Sequence, residues 1–181
     1  MRYRSDELQV FGRPIQSSIR KPIARDAIQV NKLIAACKPL DSNSIYCNLL
    51  QCTHFANTCA LAVHKDEAIG FVSAYVLPQQ PATLFVWQIA VAPEARHQGL
   101  GKRLIKEILS RQVCAAVTHL EASITEHNEA SWKLFLSLAE EYGCHYKKRL
   151  LFDKQKHFSG QHETELLIRV GPLKNPHLPA N

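Results

Sequence analysis

The sequence predicts a mixed α/β domain in which one sheet is covered by helices on both faces. Three observations carry this. Two strand-like runs joined by a charged turn come first, a β-branched and aromatic run closed by proline follows, and amphipathic helical patterns then alternate with further strands. The composition agrees: 181 residues, 46% hydrophobic and 21% charged, describe one globular domain and exclude a disordered or fibrous chain. A chain of this length buries about 70% of its extended surface and needs no disulfide or metal staple.

Residues 1–18 lack periodicity and contain Gly12 and Pro14, which predicts an arm outside a domain spanning 19–171; residues 172–181 form a Pro-containing tail. Ala27, Val30, Leu33, Ile34 and Cys37 recur at helical spacing, and Pro39 ends that helix near Lys38. Residues 45–53 suit a second, short helix. Residues 59–76, CALAVHKDEAIGFVSAYV, predict a hairpin turning at Lys65, Asp66 and Glu67. Pro78 and Pro81 then break the chain, and LFVWQIAVA predicts a central strand closed by Pro93. Leu104, Ile105, Ile108 and Leu109 mark one helix face. Ala130, Leu134, Phe135, Leu138, Ala139 and Tyr142 mark another, with a strand at 118–124 between them. The chain ends in strands near 145–152 and 165–170 separated by a short charged loop.

No apolar run approaches the ~20 residues of a membrane helix, and MRYRSDEL leads into no apolar export segment, so a cytoplasmic protein is expected. Six scattered cysteines without a CxxC pair predict reduced thiols. Cys47, Cys52 and His54 match no zinc spacing, so no metal is expected. The net charge of +6 favours anionic partners. No basic stripe interleaves with stacking aromatics, which argues against nucleic acid and leaves a phosphate-bearing small molecule.

Gly99 and Gly101 fall together in RHQGLG, between the strongest strand and an amphipathic helix. A strand that turns into a helix through glycines presents unpaired N–H groups at the positive end of the helix dipole, where phosphate binds. Arg96, Lys102 and Arg103 add positive charge. The pattern is neither GxxxxGKS/T nor GxGxxG, so neither a triphosphatase nor a dinucleotide fold is supported; by itself the glycine pair also fits a simple tight turn.

The run AVAPEARHQGLG, with RxxGxG at 96–101, resembles the acetyl-coenzyme A motif of the GNAT superfamily of N-acetyltransferases, over about residues 19–170. Asn128 and Ser131 at the start of a helix, and the strand AIGFVSAY, resemble further elements of it. The resemblance implies a mixed, mostly antiparallel central sheet flanked by helices on both faces. It also implies that the stretch His97, Gln98, Gly99, Leu100, Gly101 and Lys102 holds the pyrophosphate through backbone amides, with Arg96 alongside. Ile89 and Val91 would pair with pantetheine through their main chains, and Asn128 and Ser131 would line the cleft. Asn128 also reads as an ordinary helix N-cap.

A closer resemblance is to the L-2,4-diaminobutyrate acetyltransferases of ectoine biosynthesis, carried by PLDSNSIYC, TLFVWQIAV, RHQGLG and FSGQHETELL in that order. It implies acetyl transfer from acetyl-CoA to the 4-amino group of L-2,4-diaminobutyrate by a homodimeric enzyme. Such an acceptor carries two ammonium groups and one carboxylate, so the resemblance assigns Asp41 and Glu165 as anions, Trp87 as an aromatic facing an ammonium, and His162 and Tyr46 as hydrogen-bonding groups. Each also has a plainer role: a turn for Asp41, core aromatics for Tyr46 and Trp87, a solvated strand edge for His162 and Glu165.

The attacking amine must lose a proton, for which Glu165 is the first candidate base, with Glu121 and solvent competing. The helix position where many GNAT enzymes carry a catalytic Tyr holds Phe135, leaving Tyr46 as the candidate acid. Ser159 and Gln161 replace the Pro and Gly that the family pattern leads one to expect before His162. Acetylation of another small amine or a protein amino terminus is the alternative within the fold. A non-catalytic acyl-CoA sensor is the alternative outside it.

Overall fold

The computed structural model describes residues 15–38 and 40–174. Its sheet has seven strands: β1 (Ser18–Arg20), β2 (Ala60–His64), β3 (Glu67–Leu77), β4 (Gln80–Val91), β5 (His119–Thr125), β6 (Tyr146–Phe152) and β7 (Glu165–Val170). Their order in space is β1-β2-β3-β4-β5-β7-β6. Only β4 and β5 run parallel; every other pair is antiparallel. The expected central strand is β4, fourth of the seven.

Five α-helices accompany the sheet: α1 (Ala27–Ala36), α2 (Ile45–Cys52), α3 (Leu100–Leu109), α4 (Glu129–Glu141) and α5 (Lys154–Phe158). Residues 69–74 of β3 are all buried. Because side chains alternate along a strand, this requires cover on both faces. On one face α3 lies close to the sheet: a Cβ at Gly70 would stand 3.0 Å from Leu100 and 3.1 Å from Leu104. Leu100, Leu104, Ile105, Ile108 and Leu109 of α3 are buried, the face its periodicity predicted.

Four local expectations need correction. Residues 15–18 do not belong to a free arm: Ile15 N–H donates to Gln98 Oε1 at 2.8 Å, and Ser18 opens β1 opposite Val63. Residues 1–14 lie outside the described residues, as does Pro39; α1 ends at Ala36. Pro81 does not break the chain but lies within β4. It falls in the irregular stretch between the pairs Val76–Leu84 and Leu77–Gln80, where a missing N–H costs little. The charged loop before β7 contains α5, capped by Asp153, whose Oδ1 accepts from the N–H groups of Gln155 and Lys156.

Between β1 and α1, Asp26 is buried and bridges two segments. Its oxygens accept both Arg20 guanidinium nitrogens at 2.6 and 2.8 Å, and Oδ2 also accepts from Ile23 N–H. The Arg20 hydrogen bond, aided by Ile23 N–H, outweighs burial and holds the Asp26 carboxyl below its ordinary value of 3.8. A lowered native value means that this stabilisation is present above about pH 4 and is lost as pH falls through the native pKa. Asp26→Asn is expected to lower stability by about 1–3 kcal/mol at pH 7. In urea titrations the difference from wild type should shrink below about pH 4; a constant difference would show that charge is not involved.

Candidate active site

The cradle starts where β4 ends. Gly99 adopts φ 70°, a left-handed conformation that glycine takes without strain, and it caps α3 with no side-chain acceptor. His97, also left-handed at φ 60°, turns the chain just before it. The first helical hydrogen bond is Arg103 N–H to Gly99 C=O, so the N–H groups of Leu100, Gly101 and Lys102 precede the helical ladder. A Cβ at Gly99 would meet nothing within 4 Å, whereas one at Gly101 would touch Leu134 and Ile89. Open space before uncapped amides at a helix start fits a pyrophosphate.

Some side chains of this stretch are committed elsewhere. Gln98 accepts from Ile15 N–H and donates to Glu94 C=O. Lys102 and Lys106 both bind Glu141, whose carboxyl they hold below its ordinary value. Arg96 Nε donates to Val91 C=O, tying the loop to the strand end. What Gln98 and Lys102 leave uncommitted toward the turn is their backbone.

Behind the cradle, β4 and β5 part. They pair only from Thr83–His119 to Val86–Ala122, so the edge of β4 from Trp87 to Val91 has no strand partner on the β5 side. On the other side the register with β3 jumps from Ala74–Val86 to Ser73–Gln88, leaving Trp87 as the extra residue of a bulge. Ile89 and Val91 thus stand in the splayed segment, with no strand partner on the β5 side. The Val91 carbonyl, however, already accepts from Cys37 Sγ and Arg96. Asn128 caps α4 by accepting Ser131 N–H at 3.1 Å. The plain N-cap role is therefore real, with its amide nitrogen and the Ser131 hydroxyl left for a ligand.

Trp87 and Ser123, the first residues past the last β4–β5 pair, flank the apex of the splay. Ser123 Oγ donates to Glu165 Oε2 at 2.6 Å. Glu165 Oε1 lies 3.9 Å from His162 Nδ1, and His162 Nε2 lies 3.2 Å from Asp41 Oδ2. The loop carrying Asp41 is pinned to β4, since Gln88 donates to Asp41 C=O and accepts from Asn43. Three stretches distant in sequence thus converge on one carboxylate–imidazole–carboxylate row. The Glu163 carbonyl beside Nδ1 raises the His162 pKa above 6.5, with burial opposing it and Asp41 and Glu165 adding to it.

Trp87 is about half exposed and packs edge-on against Tyr75, so it is not a core aromatic. Tyr46 is not drawn into the row: at 70% exposure it stands on the first turn of α2. Glu121 is removed from the list of bases because it is buried and ion-paired with Arg169, which also donates to Thr83 and Gln80. Phe135 is a buried core residue of α4. Burial pushes the thiols of Cys52 and Cys114 up to about 11 and Cys59 to about 12, so none is a nucleophile at neutral pH. Among the described residues no three His, Cys, Asp or Glu side chains are grouped to hold a metal. No described helix is long and apolar enough to cross a membrane. Sequence reasoning missed Ser123, Gln88 and Asn43, whose roles depend on strand register and loop docking.

An uncapped glycine turn before α3 and a splayed parallel pair beside it form a cradle suited to a phosphate-bearing ligand with an extended arm. Residues 29–139 match the acetyltransferase (GNAT) family. The L-2,4-diaminobutyric acid acetyltransferase of Methylotuvimicrobium alcaliphilum is 49% identical over 157 residues, covering 87% of this chain and 91% of that protein. That of Vibrio cholerae is 45% identical over 156 residues, covering 86% and 90%. The diaminobutyrate acetyltransferase of Paenibacillus lautus, solved with L-2,4-diaminobutyric acid and coenzyme A, superposes with a TM-score of 0.84 at 36% identity, covering 89% of this chain and 98% of that one. The ribosomal-protein-S18-alanine N-acetyltransferase of Escherichia coli shares the fold at 14% identity and TM-score 0.64, covering 88% and 96%. This chain belongs to the L-2,4-diaminobutyric acid acetyltransferase family within the GNAT acetyltransferases.

Proposed function

We propose that the protein transfers the acetyl group of acetyl-CoA to the 4-amino group of L-2,4-diaminobutyrate, giving N4-acetyl-L-2,4-diaminobutyrate and coenzyme A, a step of ectoine biosynthesis. The observation that supports this reading is the convergence of Asp41, His162 and Glu165 on one row, with Glu165 tied through Ser123 to the splay of β4 and β5. Acetyl-CoA supplies an acetyl thioester whose thiolate leaves readily.

The amines of the acceptor arrive as ammonium ions near pKa ~10.4, so removing one proton at pH 7 costs roughly 4–5 kcal/mol. Glu165 takes that proton, directly or through water, while Ser123 fixes its other oxygen. Trp87 offers its ring face to an ammonium, and Asp41 and His162 position the acceptor's polar groups. The amides from His97 to Lys102, with Arg96, hold the pyrophosphate; Ile89 and Val91 align pantetheine; Asn128 and Ser131 line the cleft wall. Tyr46 is the candidate acid for the thiolate, and an unchanged kcat in Tyr46→Phe removes it from the mechanism.

The test is thiol release from acetyl-CoA with L-2,4-diaminobutyrate, ornithine, lysine and diaminopropionate, with the modified nitrogen identified by NMR. Diaminobutyrate is expected to be preferred and modified on N4. Equal use of the four would overturn the acceptor assignment.

His162 adds a pH signature. With its pKa raised, its favourable interaction with the two carboxylates is present below about pH 6.5 and fades as pH rises through the native value. Protonated, it also repels the acceptor's ammonium groups. The KM for diaminobutyrate is expected to fall about threefold, the effect of one charge at roughly 6 Å in water, between about pH 6 and pH 8. The His162→Gln variant should lose that slope; retention would place the titrating group elsewhere.

A cytoplasmic homodimer completes the reading. Its support is the exposed apolar surface of edge strand β6, where Tyr146 is 51% and Leu150 53% exposed, and six free cysteines, which suit a reducing compartment. Sedimentation velocity decides the oligomeric part.

A further inference from the structure

Next to the carboxylate row, the same face of the sheet opens into a cavity of about 690 Å³. Its walls include Tyr75, Phe85 and Trp87, and its charged residues are Glu121 and Arg149. The two charges are not equivalent. Glu121 is neutralised by Arg169. Arg149 forms no ion pair among the described residues, its one hydrogen bond being a long 3.4 Å contact to Leu150 C=O. An aromatic-walled cavity is therefore left with one uncompensated guanidinium, suited to a carboxylate.

Strand register fixes how far Arg149 stands from the base. On β6 and β7, Arg149 is opposite Leu167, and Phe152 is opposite Glu165. Arg149 and Glu165 are thus one strand apart and two residues out of step, about 8 Å between Cα atoms from ordinary strand spacing. Extended diaminobutyrate spans about 5 Å from its 4-nitrogen to its carboxyl carbon by bond lengths. An amine at Glu165 therefore leaves the carboxylate within reach of the long Arg149 side chain.

We propose that Arg149 binds the α-carboxylate of the acceptor and thereby selects an amino acid of this chain length over a plain diamine. This rests on the diaminobutyrate reading above and supplies the cationic group which that reading lacks. With the carboxylate held at Arg149 and the thioester at the splay, a longer side chain carries its amine past the reactive position, and a shorter one falls short.

The test compares L-2,4-diaminobutyrate with 1,3-diaminopropane, the same diamine without its carboxylate, in wild type, Arg149→Gln and Arg149→Lys. In Arg149→Gln the ratio of kcat/KM for diaminobutyrate over diaminopropane is expected to fall about 10- to 100-fold, the worth of a charged hydrogen bond. The loss should appear in KM for diaminobutyrate. Arg149→Lys should recover part of it, since charge remains and the bidentate fork is lost. Acetyl-CoA affinity, measured by calorimetry, should be unchanged, which separates this role from misfolding; should the Gln variant not fold, the Lys variant's several-fold ratio change is the readout. An unchanged ratio, with both acceptors affected alike or neither affected, would overturn the proposal. A wild type that ignores diaminobutyrate would instead overturn the acceptor assignment beneath it.

Discussion

Glu165→Gln is expected to reduce kcat by about 10²- to 10⁴-fold, the usual contribution of a general base, with little change in the KM for acetyl-CoA. Glutamine keeps the shape of the side chain and can still accept from Ser123, which donates to Oε2 at 2.6 Å. What disappears is the charge and the ability to take a proton. The proposed role rests on placement: Ser123, one residue past the last β4–β5 pair, fixes Glu165 at the apex where the strands part. Raising the pH should partly rescue the variant, since more of the amine is then free base without help. A rate within a factor of about three of wild type at pH 7 would assign deprotonation to solvent.

The second large effect is expected at Gly99. Two properties meet there: a left-handed backbone at φ 70°, and open space in the direction of a Cβ. Gly99→Val should cost both, through strain for a β-branched residue and through a side chain projecting before the uncapped amides of α3. Gly99→Asn separates the two, because asparagine tolerates the left-handed conformation and still fills the space. Both variants are expected to raise the KM for acetyl-CoA by about 30-fold or more, the loss of one or two charge-assisted hydrogen bonds. Only the Val variant should also melt earlier, by about 2–4 °C if the strain reaches about 1 kcal/mol. Normal coenzyme affinity in the Asn variant would move the pyrophosphate away from this turn.

What the sequence made legible was local. The face of α3 was visible because five apolar side chains, from Leu100 to Leu109, recur at helical spacing, and β4 because its apolar, β-branched run has no competing helical pattern. The glycine turn was visible because its function depends on backbone geometry that few residue types permit. The short α5 has five residues, too few for periodicity; its one local signal was Asp153 ahead of Lys154. Glu121 was misjudged because its partner, Arg169, is 48 positions away and adjacent only through the β5–β7 register. Asp41 and His162, 121 positions apart, meet because a loop is pinned to Gln88, which no periodicity encodes. The family resemblance assigned both to one pocket, but their contact with each other was not readable from it.

The unmatched Trp87 has a consequence for how the central strand can change. Each residue added to or removed from a strand exchanges inward and outward for everything downstream, until a turn or another irregularity resets the count. Deleting one residue beside Trp87 would exchange the orientations of Ile89 and Val91 with those of Gln88 and Ala90. That would carry Gln88, the latch for the Asp41 loop, and the buried Ala90 together onto the opposite face. The odd residue acts as a parity bit for the half of β4 beyond it: a substitution there alters one side chain, whereas a change in length moves every side chain to the other face.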